Sequence, residues 1–184
     1  MIKWLAGICL LVSLHACKND MRDVMRLPSN QLAPSQVGDS ITLLYSDTSR
    51  LRVMLQANRM LVFTKNTREP MRILPKGVFV TFFDNKGNIS ATLRANYAVH
   101  YEMTKRMEAK YKVEVVNTKG EKLETERLVW NEATERISTD APIKITTGNE
   151  VIRGVGFESN QDFTNYQIHQ VTGVFHLAEE TIKQ

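Results

Sequence analysis

From Ile41 onward, apolar and polar residues alternate with a period of two, segment after segment. The run from Ile89 to Tyr101 shows the pattern most fully. Ile89, Ala91, Leu93, Ala95, Tyr97, Val99 and Tyr101 fall on one face, and Ser90, Thr92, Arg94, Asn96, Ala98 and His100 on the other. That is the spacing of a strand with one buried face. The same alternation groups Leu51, Val53, Leu55 and Ala57, then Val78, Val80 and Phe82, then Tyr111, Val113 and Val115, then Ala141, Ile143 and Ile145, and finally Ile168 with Val174. Turn signals separate these runs at Asp84-Asn85-Lys86-Gly87, Asn117-Thr118-Lys119-Gly120 and Thr147-Gly148-Asn149. No helical stripe with i, i+3, i+4, i+7 spacing interrupts them, so the pattern predicts an all-β chain.

An internal repeat organises the strands. Leu55-Gln56-Ala57-Asn58 recurs as Leu93-Arg94-Ala95-Asn96, and more loosely as Leu123-Glu124-Thr125-Glu126 and Ile152-Arg153-Gly154-Val155. A second strand follows each, starting near Met71, Met107, Ile137 and Ile168. Two-strand units of this size cannot bury an apolar face alone, so they must stack and continue one another's surface. The expectation is a single all-β domain of about four repeated two-strand, hairpin-sized antiparallel units.

The amino terminus follows a different logic. Lys3 precedes an apolar run from Trp4 to Leu14, and Leu14-His15-Ala16-Cys17 ends it with a small residue before cysteine. This is the layout of a secretory signal peptide, too short for a membrane span, which needs about 20 apolar residues. The Leu-x-Ala-Cys ending resembles a bacterial lipobox, which implies cleavage after residue 16 and lipidation of Cys17. Residues 17–38, with Pro28, Pro34 and several Ser, Asn and Gln, read as a flexible tether. The folded domain is then expected over 39–178, with a short tail at 179–184, held at the membrane by its lipid.

Composition narrows the chemistry. The formal charge is +4 without any Lys/Arg block, far from the basic stripe of a nucleic-acid binder. The two cysteines, Cys9 and Cys17, leave nothing to form a disulfide or a cysteine-based zinc site in the β region. His100, His169 and His176 lie on strands without metal-ligand spacing, and neither a Gly-x-Ser-x-Gly elbow nor a Gly-rich phosphate loop occurs. No cofactor is expected, and the reading is non-enzymatic. Gly154-x-Gly156, between strand-like residues, points to a bulge or a close backbone approach, with Gly154 as a structural glycine. The stretch Tyr166 to Leu177 has no charge and no proline. It therefore reads as an unprotected sheet edge suited to strand addition, through Ile168, Val171, Gly173, Val174 and Phe175.

Several phrases in order resemble the LptC family of lipopolysaccharide export proteins and the related LptA-type domains. They are Val80 through Asp84-x-x-Gly87 to Leu93-x-Ala95-x-x-Ala98; Leu123-x-Thr125-Glu126-x-Leu128-x-Trp130; Thr139-Asp140-Ala141-Pro142-Ile143; and Ile152-x-Gly154-x-Gly156-Phe157 leading to Val171-x-Gly173. The resemblance spans Asp39 to Leu177 and implies a slightly twisted β-jellyroll with an apolar trough between two walls. It implies a periplasmic, inner-membrane-anchored conduit that binds lipopolysaccharide and passes it onward. Many family members carry a transmembrane helix, whereas this chain looks lipidated at Cys17. Val80, Phe82, Leu93, Tyr97, Val99, Val113, Val115, Ile143 and Ile145 would line the trough, although the same residues would equally serve a dry core. By resemblance the edge around Ile41 to Leu55 would meet the jellyrolls of LptF/LptG-like subunits of an ABC transporter, and the carboxy-terminal edge an LptA-like bridge. The alternatives are a structural or chaperone-type envelope lipoprotein and a carbohydrate-active β-sandwich enzyme, which would need paired carboxylates in a cleft.

Overall fold

The structure is a computed structural model that describes residues 33–176 apart from residues 48, 49, 66 and 162. The expected signal peptide, Cys17, all but the last residues of the expected tether, Leu177, Ala178 and the expected tail therefore lie outside the described residues.

The described residues form eleven strands: β1 (Gln36–Asp47), β2 (Arg50–Phe63), β3 (Met71–Leu74), β4 (Val78–Phe83), β5 (Ile89–Ala95), β6 (Tyr97–Tyr101), β7 (Arg106–Asn117), β8 (Lys122–Asn131), β9 (Arg136–Thr146), β10 (Glu150–Asn160) and β11 (Tyr166–His176). All pair antiparallel in one sheet, consistent with a β-jellyroll. The all-β expectation therefore holds. β1 begins at Gln36 rather than Asp39, because the predicted tether ends in residues that pair Gln36 with Val62 and Val37 with Leu61.

The sheet is folded along a corner that the long strands cross. β2 pairs with β4 through Val53–Ala57 and with β3 through Leu61–Phe63. β7 pairs with β6 through Arg106–Lys110 and with β5 through Ala91 to Arg94 opposite Asn117 to Glu114. One half of each long strand thus belongs to one wall and the other half to the facing wall. We call the wall holding β4 and β5 the first, and that holding β3 and β6 the second. At the corner the ladders slip: between Lys110 and Val113 on β7, between Thr125 and Val129 on β8, and between Val155 and Phe157 on β10. Tyr111 and Lys112 take left-handed φ values of 64° and 54° there, and Gly156 takes 78°, where a glycine avoids the Cβ clash.

The sequence repeat maps onto this corner. Leu55–Asn58, Leu93–Asn96, Leu123–Glu126 and Ile152–Val155 each close the first-wall half of a strand just before it crosses. The tips of the first wall are tied by asparagine and aspartate side chains: Asp84 Oδ1 accepts the Lys86 and Asn88 amides at 2.8 and 2.9 Å, and Asn117 Oδ1 accepts those of Lys119 and Glu121 at 3.0 and 3.1 Å. Such local bonds are why these residues end strands.

Candidate functional site

The space between the walls is built from the inward residues of both. Val53, Leu55, Val80, Phe82, Leu93, Val113, Val115, Ile143 and Ile145 from the first wall meet Leu74, Ala98, Ala109, Leu128, Trp130 and Ile137 from the second in one continuous apolar cluster. Of the nine trough residues expected, Val80, Phe82, Leu93, Val113, Val115, Ile143 and Ile145 are in this cluster.

Tyr97 and Val99 require a correction. The thirteen-residue alternation from Ile89 does not run as one strand. It breaks at Asn96 into β5 and β6, and the bend changes which parity faces inward. Ala98 joins the core, whereas Tyr97 is half-buried and meets the exposed Tyr111 ring edge-on at 6.1 Å between centroids. Val99 is buried, but outside the cluster, in register with Ile73 and Glu108. Glu108 is one of the few buried charges. Burial pushes its carboxyl up, but hydrogen bonds and charge from Arg127 and Lys110 outweigh that and hold it below the usual carboxylate range. Lys110 Nζ lies 3.2 Å away, and Arg127 also pairs with Asp140 at 2.8 Å.

Side chains close the interior on the side away from the corner. Tyr45 of β1 meets Trp130 of β8 edge-on, with ring centroids 5.6 Å apart. Phe163, in the β10–β11 connection, meets Phe82 in the same way at 5.6 Å. Phe157 and Tyr166 stack beside it at 5.6 Å. The core cavity left between Val53, Phe82, Met107, Trp130 and Ile137 is only about 30 Å³, so the interior is packed in this conformation. Buried polar atoms nevertheless lack partners: Trp130 Nε1, in the core cluster, and both amide atoms of Gln161, in the β10–β11 connection beside Phe163. Tyr45, Trp130, Gln161 and Phe163 were not among the expected site residues. Trp130 carries a strand-periodic signal, but nothing local marks Phe163, whose place depends on how the connection folds back.

The inner row of the second wall ends in charge. His100 Nε2 lies 3.3 Å from Glu132 Oε1, both mostly buried, and Arg72 pairs with Glu102 at 2.8 Å. Burial holds the His100 ring below the usual histidine pKa, Arg72 adds to this, and Glu132 and Glu102 oppose it. His169 and His176 each face a glutamate of β10, Glu158 at 3.9 Å and Glu150 at 3.1 Å, and do not approach each other. Among the described residues no three His, Cys, Asp or Glu side chains gather as a metal site.

Both ends of the sheet are edges. Among the described residues β1 pairs only with β2 and exposes Val37 and Leu44, and β11 pairs only with β10 and exposes Val171, Val174 and Phe175, with Ile168 and Gly173 half-buried. Gly154 sits where β11 crowds β10: a Cβ there would lie 2.6 Å from both the Gln170 carbonyl oxygen and Ile168 Cγ2.

A family model described as lipopolysaccharide-assembly, LptC-related, matches residues 6–176. The chain belongs to the LptC family. This makes the protein a cell-envelope component of lipopolysaccharide transport, in a family of transport components rather than a known family of enzymes. No curated protein matches the chain. The LptC match begins inside the apolar amino-terminal run, and no helix among the described residues is long and apolar enough to cross a membrane.

Proposed function

We propose that this LptC protein is a lipid conduit in which lipopolysaccharide acyl chains pass between the two walls while the sugars and phosphates stay in water. One observation carries the reading. Among the described residues every hydrogen-bonded ladder joins strands within a wall, and the walls are continuous only through strands that cross the corner. On the opposite side no backbone hydrogen bond joins them among the described residues, and side chains meet there, Tyr45 on Trp130 and Phe163 on Phe82. Parting them breaks no ladder, and acyl chains replace the lost apolar contacts at about 25 cal/mol per Å² of buried surface. Ester and amide groups of the lipid supply partners for Trp130 Nε1 and Gln161.

The remaining assignments belong to the same proposal. Cys17 carries the lipid that holds the domain, 39–178 with its first strand reaching back to Gln36, at the periplasmic face of the inner membrane. The β1 edge receives the jellyroll of an LptF/LptG-like transporter subunit, and the β11 edge, through Ile168, Val171, Gly173, Val174 and Phe175, adds a strand to an LptA-like bridge. The chain supplies no nucleotide site in this scheme, so the driving energy enters through the transporter.

A photo-crosslinking amino acid at Val113 tests it in cells. Val113 is 1% exposed and faces the interior; Tyr97, turned away by the bend at Asn96, is the control. Labelling of lipopolysaccharide from Val113 and not from Tyr97 is expected. Failure at Val113, or equal labelling from Tyr97, sinks the conduit.

A further inference from the structure

Two clefts of similar size lie outside the walls, along the corner, and they differ in charge. One, of about 620 Å³, is lined by Glu114, Glu124 and Glu126 as well as Lys112, Lys144 and Arg153. It mixes both signs, and two of its carboxylates are engaged: Lys144 holds Glu124 at 2.9 Å, and Lys122, outside the lining, holds Glu114 and Glu124 at 3.4 Å each. The other, of about 600 Å³, is framed by β1, β2, β4, β5 and the β7 corner and carries Lys76, Arg94 and Lys112 with no carboxylate in its lining. Among the described residues none of these three cations is in an ion pair. Glu114 stands opposite Arg94 in the β5–β7 register but is the carboxylate that Lys122 holds.

The cleft is organised as well as basic. The Arg94 guanidinium lies over the Phe79 ring, 5.0 Å from its centroid, which fixes its plane and leaves its N–H groups to the cleft. Lys112 reaches the cleft from a left-handed residue, φ 54°, whose amide donates to Glu126 Oε2 at 3.4 Å. A conformation disfavoured for lysine is kept where it places a charge. Asn58 Nδ2 donates to the Lys76 carbonyl at 3.4 Å, tying β2 to the β3–β4 turn, and Gln56 and Asn96 add amides along the floor. Three unpaired like charges around one concavity repel each other unless an anion enters. A planar guanidinium with two ammonium groups suits a phosphate, and the surrounding amides suit sugar hydroxyls. The volume is that of a small-molecule site.

We propose that this outer corner cleft binds a phosphorylated sugar, with Arg94, Lys76 and Lys112 on the phosphate and Gln56, Asn58 and Asn96 on the hydroxyls. The ligand is the phosphorylated headgroup of a membrane lipid or a soluble sugar phosphate, and the two share this chemistry. Occupancy here does not depend on acyl chains between the walls, so crosslinking from Val113 and binding at this cleft succeed or fail separately.

Titration calorimetry on the full chain decides it. The probes are glucosamine phosphate bearing its phosphate on the anomeric carbon, inorganic phosphate, and phosphatidylcholine vesicles with or without phosphorylated lipid A. Saturable binding of the sugar phosphate is expected, tighter than that of inorganic phosphate. Arg94→Gln weakens it by about tenfold or more, the loss of one charge-assisted contact pair, and Lys119→Gln, on the exposed β7–β8 turn, leaves it unchanged. Lipid A-dependent vesicle binding that Arg94→Gln removes assigns the ligand to a lipid headgroup. Sugar phosphate binding with no lipid A dependence assigns it to a soluble source. Absence of saturable binding by both the sugar phosphate and the lipid A vesicles, or a loss that Lys119→Gln shares equally, overturns the site.

Discussion

His100 shows how one residue's environment becomes a property of the protein. Its ring is mostly buried at the end of the second wall's inner row, where desolvation disfavours the charged form more than Glu132 favours it. The folded state therefore takes up its proton at lower pH than the unfolded chain does. The stabilisation from this difference is complete above the unfolded value of about 6.5 and is lost as pH falls from there toward the lower folded value. Urea unfolding at several pH values between about 7.5 and 5 should show the wild type losing stability relative to His100→Gln across that window. A wild-type-to-variant difference that stays constant with pH would contradict it. His100 was legible in the sequence as a strand residue. Its inward direction was not, because alternation from Ile89 placed it opposite Leu93, and only the bend at Asn96 brings it to the side of Ala98 and Met107.

At the scale of the elements, the β10–β11 pair is constrained by a close approach at Gly154. Gly154 lies against a backbone carbonyl as well as the Ile168 side chain, and a carbonyl in a ladder cannot rotate away as the end of a flexible side chain can. Gly154→Ala should therefore cost about 1–3 kcal/mol, speed hydrogen exchange in Tyr166–His176, and weaken capture of a partner strand at this edge. Gly148→Ala, at a tip with nothing within 4 Å, should change stability by less than about 0.5 kcal/mol. Unaltered exchange in β11 of the Gly154 variant would show that the strand accommodates the methyl group. Strand starts near Met71, Met107, Ile137 and Ile168 were readable because hydrophobic alternation and turn residues are local signals. The division of one apparent strand into β5 and β6 was not, since Asn96 carries no turn signal strong enough to predict a corner, and the neighbouring ladders bend there together.

At the scale of the fold, the governing feature is that, among the described residues, the walls share covalent strands at the corner and meet opposite it through side chains such as Tyr45 on Trp130 and Phe163 on Phe82. Phe163→Leu keeps most of the apolar volume while removing the edge-on ring contact with Phe82, worth about 0.5–1.5 kcal/mol. The variant should stay folded, melt slightly lower, and raise lipopolysaccharide labelling from a crosslinker at Val113. Lower or equal labelling would mean that Phe163 does not hold the walls together against the lipid.

The sequence by itself determined the β class, the four-fold repeat, most of the inward residues and the uncharged terminal edge, because each is a period-two or near-neighbour property of the chain. Its ordered phrases also pointed to the LptC family. Only the tertiary structure decided that the inward faces meet as a packed interior, that Tyr97 and Val99 lie off it, and that Lys76, Arg94 and Lys112 share one cleft without a counter-charge. These features depend on where distant strands bend relative to one another, and the bend arises from many ladders slipping at the same level, which no single stretch of residues encodes.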